Sequence, residues 1–416
     1  MSPAAELVDR FGAPLYVYDL DAVAAARDSL LAALPDGFDL YYAVKANPHP
    51  DVARTLREGP GRACRAEISS TGELQVALAA GYPGAACLYT GPGKTDAELD
   101  EAIGAGVRTF SVESLSDLRH VGAAAVRQRV VADCLLRINS PATAGSTGIR
   151  MMGQPSQFGI DSETLADTLP ELVRVPGTRV TGAHFYTMSN ATDEESLLAE
   201  YERVIELAAG LARDVGLRLE LLDIGGGFAA PYAAPGARTP YPRLRRELTR
   251  ILDRHLPGWR TGSPRLACES GRYLVAESGI LVTRVVNVKD SRGTRFIVLD
   301  AGINALGGLS GLGRLLPVAV QLDSTETATQ SASLVGPLCT PGDTLGRNVS
   351  LPPLDPGDLV MIPNVGAYGL TASLLAFLGR PAPVEVAMRG EEVVSASRLE
   401  HRRSYACGSA ARAAAR

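Results

Sequence analysis

The chain has 416 residues, 46% of them hydrophobic and 21% charged, which allows about two or three domains with sizeable cores. Its formal net charge of −5 favours neither nucleic acid nor an anionic membrane as a partner, and no uncharged apolar run reaches the roughly 18 residues that a membrane span needs. The N-terminus lacks a charged head followed by an apolar run, so we expect a cytoplasmic protein.

After a predicted strand at residues 14–19, helical segments and short apolar strands alternate regularly along the chain. Helices are predicted at residues 23–34, 51–58, 71–80, 96–105, 116–126, 162–173, 194–215 and 242–255. Strands are predicted at residues 40–45, 63–69, 87–90, 109–112, 131–139, 180–187, 219–224 and 266–269. Because each strand follows a helix, this α/β pattern predicts a closed (β/α)8 TIM barrel more readily than an open doubly wound sheet.

Beyond about residue 265 the helical rhythm stops, and short β-rich segments are separated by Gly/Pro turns. Strands are predicted there at residues 280–288, 295–299, 315–322, 331–335, 359–362, 384–388 and 391–395. They indicate a second, all-β domain with a Greek-key-like arrangement, which the strand at residues 14–19 would join. The predicted domains are a barrel at residues 25–265, a β-domain at residues 1–24 plus 266–400, and a flexible tail at residues 401–416.

The six cysteines are scattered, with no Cys-x-x-Cys pair and no histidine at zinc-finger spacing, so neither a metal site nor a disulfide framework is expected. Four lie in apolar, strand-like runs and are predicted to be core residues: Cys64, Cys87, Cys134 and Cys268. Cys339 differs, because its neighbours Pro337, Pro341 and Gly342 predict a loop.

Two features fall at the carboxyl ends of predicted barrel strands, where the active sites of such barrels lie. Lys45 ends the first strand, and an ammonium among apolar neighbours there would have a lowered pKa and suit Schiff-base chemistry. A solvated lysine is the alternative. Gly225, Gly226 and Gly227 end the seventh strand, where uncovered backbone N–H groups could bind a phosphate, with a flexible turn as the alternative.

Together with further motifs, these features resemble the fold-type III pyridoxal 5'-phosphate (PLP)-dependent decarboxylases, the family of diaminopimelate and ornithine decarboxylases. The resemblance extends from Pro14 to about Met388. The motifs that carry it are Tyr42-Ala43-Val44-Lys45-Ala46-Asn47, Glu67-Ile68-Ser69-Ser70-Thr71-Gly72-Glu73-Leu74, Phe158-Gly159-Ile160, Asp223-Ile224-Gly225-Gly226-Gly227-Phe228, Glu269-Ser270-Gly271-Arg272-Tyr273, Gly336-Pro337-Leu338-Cys339-Thr340-Pro341-Gly342-Asp343 and Gly366-Ala367-Tyr368-Gly369.

The resemblance implies that Lys45 binds PLP covalently and that Glu269 faces the pyridine nitrogen. A carboxylate there keeps the nitrogen protonated, so that the ring can take up electrons as carbon dioxide leaves. The residues expected around the rest of the cofactor are Tyr186, Ser189, Gly225, Gly226, Gly227, Gly271, Arg272 and Tyr368. The residues alone also allow a simpler interpretation, in which Glu269 forms an ion pair at a strand end and Arg272 is a surface cation.

The resemblance also implies a homodimer with active sites at the subunit interface. Cys339 would come from the partner subunit and reprotonate the carbanion after decarboxylation, which requires an accessible thiol whose pKa is not far from the working pH. The alternative for Cys339 is a buried, inert cysteine.

Several positions depart from the family pattern. Tyr186 stands where a histidine usually stacks on the cofactor, and His184, two residues earlier, is interpreted as a core or supporting residue. Thr340 follows the cysteine where enzymes of free diamino acids place an acidic residue for the distal ammonium. The segment 300–314 lacks the Arg-Pro pair that would bind a distal carboxylate. We expect Thr340, Asp343 and Arg314 to contact the substrate.

These departures favour a substrate with a neutral far end. Our hypothesis is removal of the α-carboxylate from an acidic aminoacyl group, of glutamyl or aspartyl type, joined through its side chain to an acyl carrier protein in natural-product biosynthesis. The alternative substrate is a free or amide-conjugated diamino acid, such as diaminopimelate, ornithine or a siderophore precursor. An amino-acid racemase or an inactive PLP-binding regulator is less compatible with the residues present.

Overall fold

Two sheets organise the protein. The structure, a computed structural model, describes residues 3–59, 61–140, 149–150, 155–191, 193–307, 320–322 and 329–404. One sheet is a closed parallel barrel and the other is a separate, mostly antiparallel sheet, so the predicted (β/α)8 barrel with a second β-domain is confirmed. Among the described residues, no helix is long and apolar enough to cross a membrane.

The strands and helices are numbered in chain order. The strands are β1 (Leu15–Asp19), β2 (Phe38–Ala43), β3 (Arg65–Ile68), β4 (Cys87–Tyr89), β5 (Thr109–Val112), β6 (Ala132–Asn139), β7 (Ile149–Arg150), β8 (Ile160–Asp161), β9 (Thr178–His184), β10 (Met188–Ser189), β11 (Leu221–Asp223), β12 (Arg265–Ser270), β13 (Gly279–Ser291), β14 (Thr294–Leu299), β15 (Gln330–Val335), β16 (Thr344–Leu351), β17 (Leu359–Ile362), β18 (Val384–Arg389) and β19 (Glu392–Arg398). The helices are α1 (Pro3–Phe11), α2 (Leu20–Ala33), α3 (Pro50–Arg57), α4 (Thr71–Ala79), α5 (Asp96–Gly104), α6 (Leu115–Arg127), α7 (Leu165–Leu172), α8 (Glu194–Gly210), α9 (Leu244–His255) and α10 (Arg272–Val275).

Eight parallel strands close the barrel. In order around it they are β2, β3, β4, β5, β6, β9, β11 and β12, and β12 pairs with β2 to complete the ring. Since Arg265–Ser270 is the eighth strand, the barrel continues past residue 265, where the sequence analysis ended it. Six of the helices, α2, α3, α4, α5, α6 and α8, begin at a side chain that accepts a hydrogen bond from a backbone N–H of the first turn. For example, Thr95 and Glu98 form a capping box at the start of α5.

The second sheet joins the two ends of the chain. Its order is β16-β15-β14-β13-β1-β18-β19, with β17 pairing with β13. The N-terminal strand β1 is antiparallel to β13 and parallel to β18, so it lies in the middle of a sheet built otherwise from the C-terminal third. Helix α1 packs on this sheet through a small apolar core whose buried members are Val8, Leu15, Val282, Val384 and Val386.

Some predicted elements differ from the structure. Strand β2 ends at Ala43, and Lys45 lies in a 3-10 turn, Val44–Ala46, because the chain turns before Pro48. Strand β16 was not predicted, since its sequence contains Gly346, Arg347 and Asn348 in place of an apolar alternation. Of the predicted strand at residues 315–322, only residues 320–322 are described, and they form no strand. Arg314 and the tail beyond residue 404 lie outside the described residues.

Candidate active site

A set of polar side chains points into the barrel at the carboxyl ends of its strands, because successive side chains of a strand alternate between its two faces. On β3, Ala66 and Ile68 pack outward in the main core, whereas Glu67 between them points inward. Deeper in the barrel the inward residues are apolar: Tyr41, Leu88, Leu135, Leu221 and Ala267. Above them the inward residues are buried and polar: Glu67, Thr90, Ser111, Arg137, His184, Asp223 and Glu269. Buried polar groups are costly unless paired, so this layer indicates a functional site.

Lys45 forms an ion pair at the rim of this layer. Its Nζ lies 2.7 Å from Oε2 and 2.9 Å from Oε1 of Glu67, and the hydroxyl of Thr90 donates to the same carboxylate. Burial by itself lowers the pKa of Lys45. The carboxylates of Glu67 and Glu269 oppose this effect, and the net pKa lies above its ordinary value. The expectation of a lowered pKa was therefore wrong, because the sequence did not show that Glu67 would face the lysine.

Lys45 is also the lysine that reaches the cavity. The chain has three lysines. Lys94 is buried in an ion pair with Asp117 at 2.7 Å, and Lys289 lies on β13 in the second sheet. Lys45 lines a cavity of about 450 Å³, and 40% of its side-chain surface is exposed there. A carbonyl group bound in this cavity would therefore meet a single candidate amine among the described lining residues.

Opposite Lys45, a histidine and two acids form a buried cluster. Nε2 of His184 lies 3.1 Å from Oε1 of Glu269, and Nδ1 of His184 lies 2.7 Å from Oγ of Ser111. Asp223 accepts a hydrogen bond from the backbone N–H of Gly225 at 2.9 Å. His184, Asp223 and Glu269 present ligand atoms within 4.8 Å of one another, a spacing that could hold a metal ion, but the imidazole can supply the positive charge between the carboxylates itself.

The glycine triplet follows β11 in a conformation that other residues would disturb. Gly225 and Gly227 have φ of 76° and 121°. A Cβ on Gly225 would lie 2.3 Å from the carbonyl oxygen of Phe185, and one on Gly226 would lie 2.7 Å from that of Glu269. The loop therefore packs directly against the ends of β9 and β12, and its backbone lines a second cavity at Gly227.

A second, smaller cavity adjoins the first and is suited to an anion. The two share Tyr186, Ser189, Glu269, Arg272 and Tyr368 as lining residues. The smaller cavity is also lined by Gly227, Ser270 and Gly271. Nε of Arg272 and Oγ of Ser270 are buried there without a hydrogen-bond partner among the described residues. Buried donors without partners are rare in proteins, so these atoms fit a bound phosphate.

Tyr186 lies where the two cavities meet. Burial raises the pKa of its phenol well above the ordinary value, so the ring stays neutral at working pH. The guanidinium of Arg137 lies 5.9 Å from its ring centroid and 4.7 Å from that of Phe158, and Nη1 of Arg137 is 3.0 Å from Glu113. The sequence analysis assigned no role to Arg137, Glu67 or Ser111, although strand alternation would have turned all three inward.

The predicted substrate residues lie on a different loop. Cys339 is exposed, and neither Cys339 nor Thr340 is among the described residues that line the two cavities beside Lys45 and Arg272. The carboxylate of Asp343 is buried and accepts backbone hydrogen bonds from Ile303 at 2.8 Å and Leu338 at 2.6 Å. It ties the Cys339 loop to the turn after β14, and its assignment to the substrate stays a prediction.

The remaining described cysteines are core residues. Cys64, Cys87, Cys134 and Cys268 are buried, as predicted. Burial raises the pKa of the Cys64 thiol to about 12 and that of Cys87 to about 11, so neither is a reactive thiolate near neutral pH.

A parallel barrel with a lysine, an acid on the last strand and a glycine loop beside a cavity suited to an anion at one mouth, joined to a β-domain, defines a PLP-dependent enzyme of fold-type III. The sequence profile of “Pyridoxal-dependent decarboxylase, pyridoxal binding domain” matches residues 20–276, more than half of the chain, and the protein belongs to this family of PLP-dependent amino-acid decarboxylases. The predicted family, enzyme class and cofactor are therefore confirmed.

Individual relatives agree over nearly the whole chain. L-glutamyl-[BtrI acyl-carrier protein] decarboxylase of Niallia circulans is 32% identical, with 92% of this chain and 90% of the relative covered. Diaminopimelate decarboxylase of Zymomonas mobilis is 30% identical, with 94% and 91% covered. The crystal structure of diaminopimelate decarboxylase from Helicobacter pylori complexed with L-lysine superposes with a TM-score of 0.78 at 26% identity, covering 94% of each chain.

Proposed function

We propose that this enzyme removes the α-carboxylate of an acidic aminoacyl group that is attached through its side-chain carboxyl to an acyl carrier protein. The observation that carries the proposal is the charge of the cavity. Its described lining contains two acids, and both are engaged: Glu67 faces Lys45 and would take up its proton, and Glu269 faces His184. No carboxylate of that lining is left for the second ammonium of a free diamino acid, which binds best to an acid. Thr340, which is uncharged, fits the same conclusion.

The roles of this chain's residues follow from their positions. Lys45 would attach the cofactor through Nζ, with Glu67 placed to accept the proton that the amine gives up. Glu269 would hold a proton on the pyridine nitrogen, while Arg272 and the glycine-loop N–H groups bind the phosphate. Tyr186 would pack on the ring face. PLP supplies an electron sink for the electrons that the departing carboxylate leaves behind.

A homodimer would complete the site. Since Cys339 does not line the cavity of its own chain, we assign it to the active site of the partner, where Sγ would give a proton to the α-carbon after carbon dioxide has left. Asp343 would act by holding this loop in place through Ile303 and Leu338.

A basic surface next to the Cys339 loop supports a protein-bound substrate. The described lining of a cavity of about 720 Å³ contains one acid, Glu400, and four arginines: Arg380, Arg398, Arg402 and Arg403. None of them pairs with an acid among the residues that the structure describes, and Nη2 of Arg380 donates to the carbonyl of Pro337 at 3.3 Å. Exposed Phe377 and Leu399 lie on the same segments. Such a surface suits an acidic carrier protein and the phosphate of its prosthetic arm.

The test offers the purified enzyme glutamyl- and aspartyl-loaded carrier proteins beside free diaminopimelate, ornithine and lysine, and follows loss of carbon dioxide by mass spectrometry. We expect loss from a carrier-bound group, and none with Lys45→Ala. Turnover of a free diamino acid with none of any carrier-bound group would contradict the proposal. It would favour the second candidate, a diamino-acid decarboxylase, which the similarity to diaminopimelate decarboxylases also supports.

The same assay tests the basic surface. Arg398→Glu combined with Arg402→Glu should raise KM for the loaded carrier about tenfold or more, and leave turnover of a short aminoacyl-pantetheine surrogate unchanged. Arg347→Glu, an exposed arginine on β16, is the matched control. Equal effects on carrier and surrogate would show that this surface does not bind the carrier.

A further inference from the structure

Three side chains from three barrel strands form a buried line that ends at Glu269. Ser111 on β5, His184 on β9 and Glu269 on β12 are 0%, 1% and 2% exposed. Ser111 Oγ is 2.7 Å from Nδ1 of His184, and Nε2 of His184 is 3.1 Å from Oε1 of Glu269. Glu269 also lines both cavities, so it stands between the histidine and the cofactor space.

We propose that His184 is a positioning residue: oriented by Ser111 through Nδ1, it holds a positive charge on Nε2 that keeps Glu269 ionised and directed at the pyridine nitrogen. A carboxylate buried at 2% exposure would otherwise take up a proton, because desolvation favours its neutral form. A neutral carboxyl could not keep the pyridine nitrogen protonated, and the cofactor would lose much of its electron-withdrawing power.

Among the described residues, the two other cations that lower the pKa of Glu269 are Lys45 and Arg137, and both already have acidic partners. Lys45 pairs with Glu67 at 2.7 Å and must lose its own charge to react, and Arg137 pairs with Glu113 at 3.0 Å. His184 therefore carries the compensating charge. The remaining acid beside the pair is Asp223, and burial together with Glu269 raises its pKa to about 7, so it is partly neutral near pH 7 and competes weakly for the imidazolium.

The pKa directions agree with this arrangement. Burial favours neutral forms of both groups, yet Glu269 raises the pKa of His184 above its ordinary value. In turn, His184 contributes most to holding the pKa of Glu269 below its ordinary value in spite of burial, with Lys45 and Arg137 contributing less. The inference concerns the cofactor site and does not depend on which substrate the enzyme takes.

The experiment measures PLP affinity of the apo-protein between pH 6 and pH 8 by absorbance titration, for wild type, His184→Gln and Glu269→Gln. Glutamine keeps a polar side chain but cannot be a cation, so the pKa of Glu269 should rise and its carboxyl should protonate as the pH falls. At pH 6, His184→Gln should bind PLP more weakly than wild type, by about tenfold for each unit by which the pKa of Glu269 rises above 6. At pH 8, the affinity of this variant for PLP should be nearly that of wild type. Glu269→Gln should bind PLP weakly over the whole range from pH 6 to pH 8.

A merely structural histidine gives a different result. Equal weakening by His184→Gln at every pH, or none, would overturn the proposal. Ser111→Ala, which keeps the imidazole but removes its Nδ1 partner, should show a smaller effect with the same pH dependence, and it decides the matter if His184→Gln does not fold. If Zn²⁺ raises the Tm of the apo-protein and this rise is lost in His184→Gln, the cluster is a metal site and the proposal is wrong.

Discussion

The pKa of Lys45 is affected more by pairing with carboxylates than by burial. Desolvation pulls the pKa of the ammonium down, but Glu67 at 2.7 Å and the more distant Glu269 push it above the ordinary value. The resting apo-protein therefore presents a charged amine together with the base that can take its proton. Of the two carboxylates, Glu67 contributes more to keeping the lysine protonated.

Glu67→Gln should make Lys45 more reactive in the apo-protein. Without the carboxylate of Glu67, the pKa of the amine falls because the largest attraction that opposes burial is lost, so the neutral fraction at pH 7–8 rises about tenfold for each unit. The check is the rate at which Lys45 is labelled by an amine-specific reagent, followed by peptide mass spectrometry. Lys289, on the second sheet, is the internal control, and an unchanged or slower rate at Lys45 would contradict the prediction.

At the scale of elements, the strands were largely predictable and their side-chain partners were not. Short apolar runs between helical segments located the eight barrel strands, because each strand buries side chains such as Ala66 and Ile68 on β3. Strand β16 was missed because its polar residues carry no such pattern. The pairing of Lys45 with Glu67, or of His184 with Glu269, joins residues far apart in sequence, and only barrel closure brings them together.

The strand β1 shows how a long-range pairing affects stability. It is held between β13 and β18, and Tyr18 on β1 donates a hydrogen bond of 2.9 Å to Glu385 on β18. Burial raises the pKa of Glu385 to about 7. The folded protein therefore binds a proton that the unfolded chain releases near pH 4.5, and its stability falls as the pH rises between these values.

Glu385→Gln should remove this pH-dependent loss. The amide oxygen can still accept from Tyr18 and has no charge to bury, so the variant should gain roughly 3 kcal/mol relative to wild type between about pH 4.5 and pH 8. Urea unfolding at pH 5 and pH 8 measures the difference. A gain that is the same at both pH values would show that Glu385 is not the titrating group.

On the scale of the whole molecule, we propose that two chains build each working site. The Lys45 cavity belongs to one chain, while Cys339 lies on a loop that Asp343 fastens to the β-domain and that does not reach this cavity. A symmetric dimer would place each loop at the other chain's cavity, as expected for a self-complementary interface.

Mixing two inactive variants tests this arrangement. Lys45→Ala and Cys339→Ala should each be nearly inactive, whereas a heterodimer carries one cavity with both groups intact. Random exchange of equal amounts should restore about a quarter of wild-type activity. No restoration, with heterodimers shown by pull-down of two different tags, would mean that Cys339 does not act across the interface.

We propose that PLP binds in the barrel mouth through Lys45. The most direct measurement is reduction of the holoenzyme with borohydride, digestion and mass spectrometry of the lysine that carries the pyridoxyl group. With three lysines in the chain, the result is unambiguous. We predict the label on Lys45, with none on Lys94, which is buried against Asp117, or on Lys289 in the second sheet. A label on Lys94 or Lys289, or a reduced cofactor that stays unattached, would contradict the account.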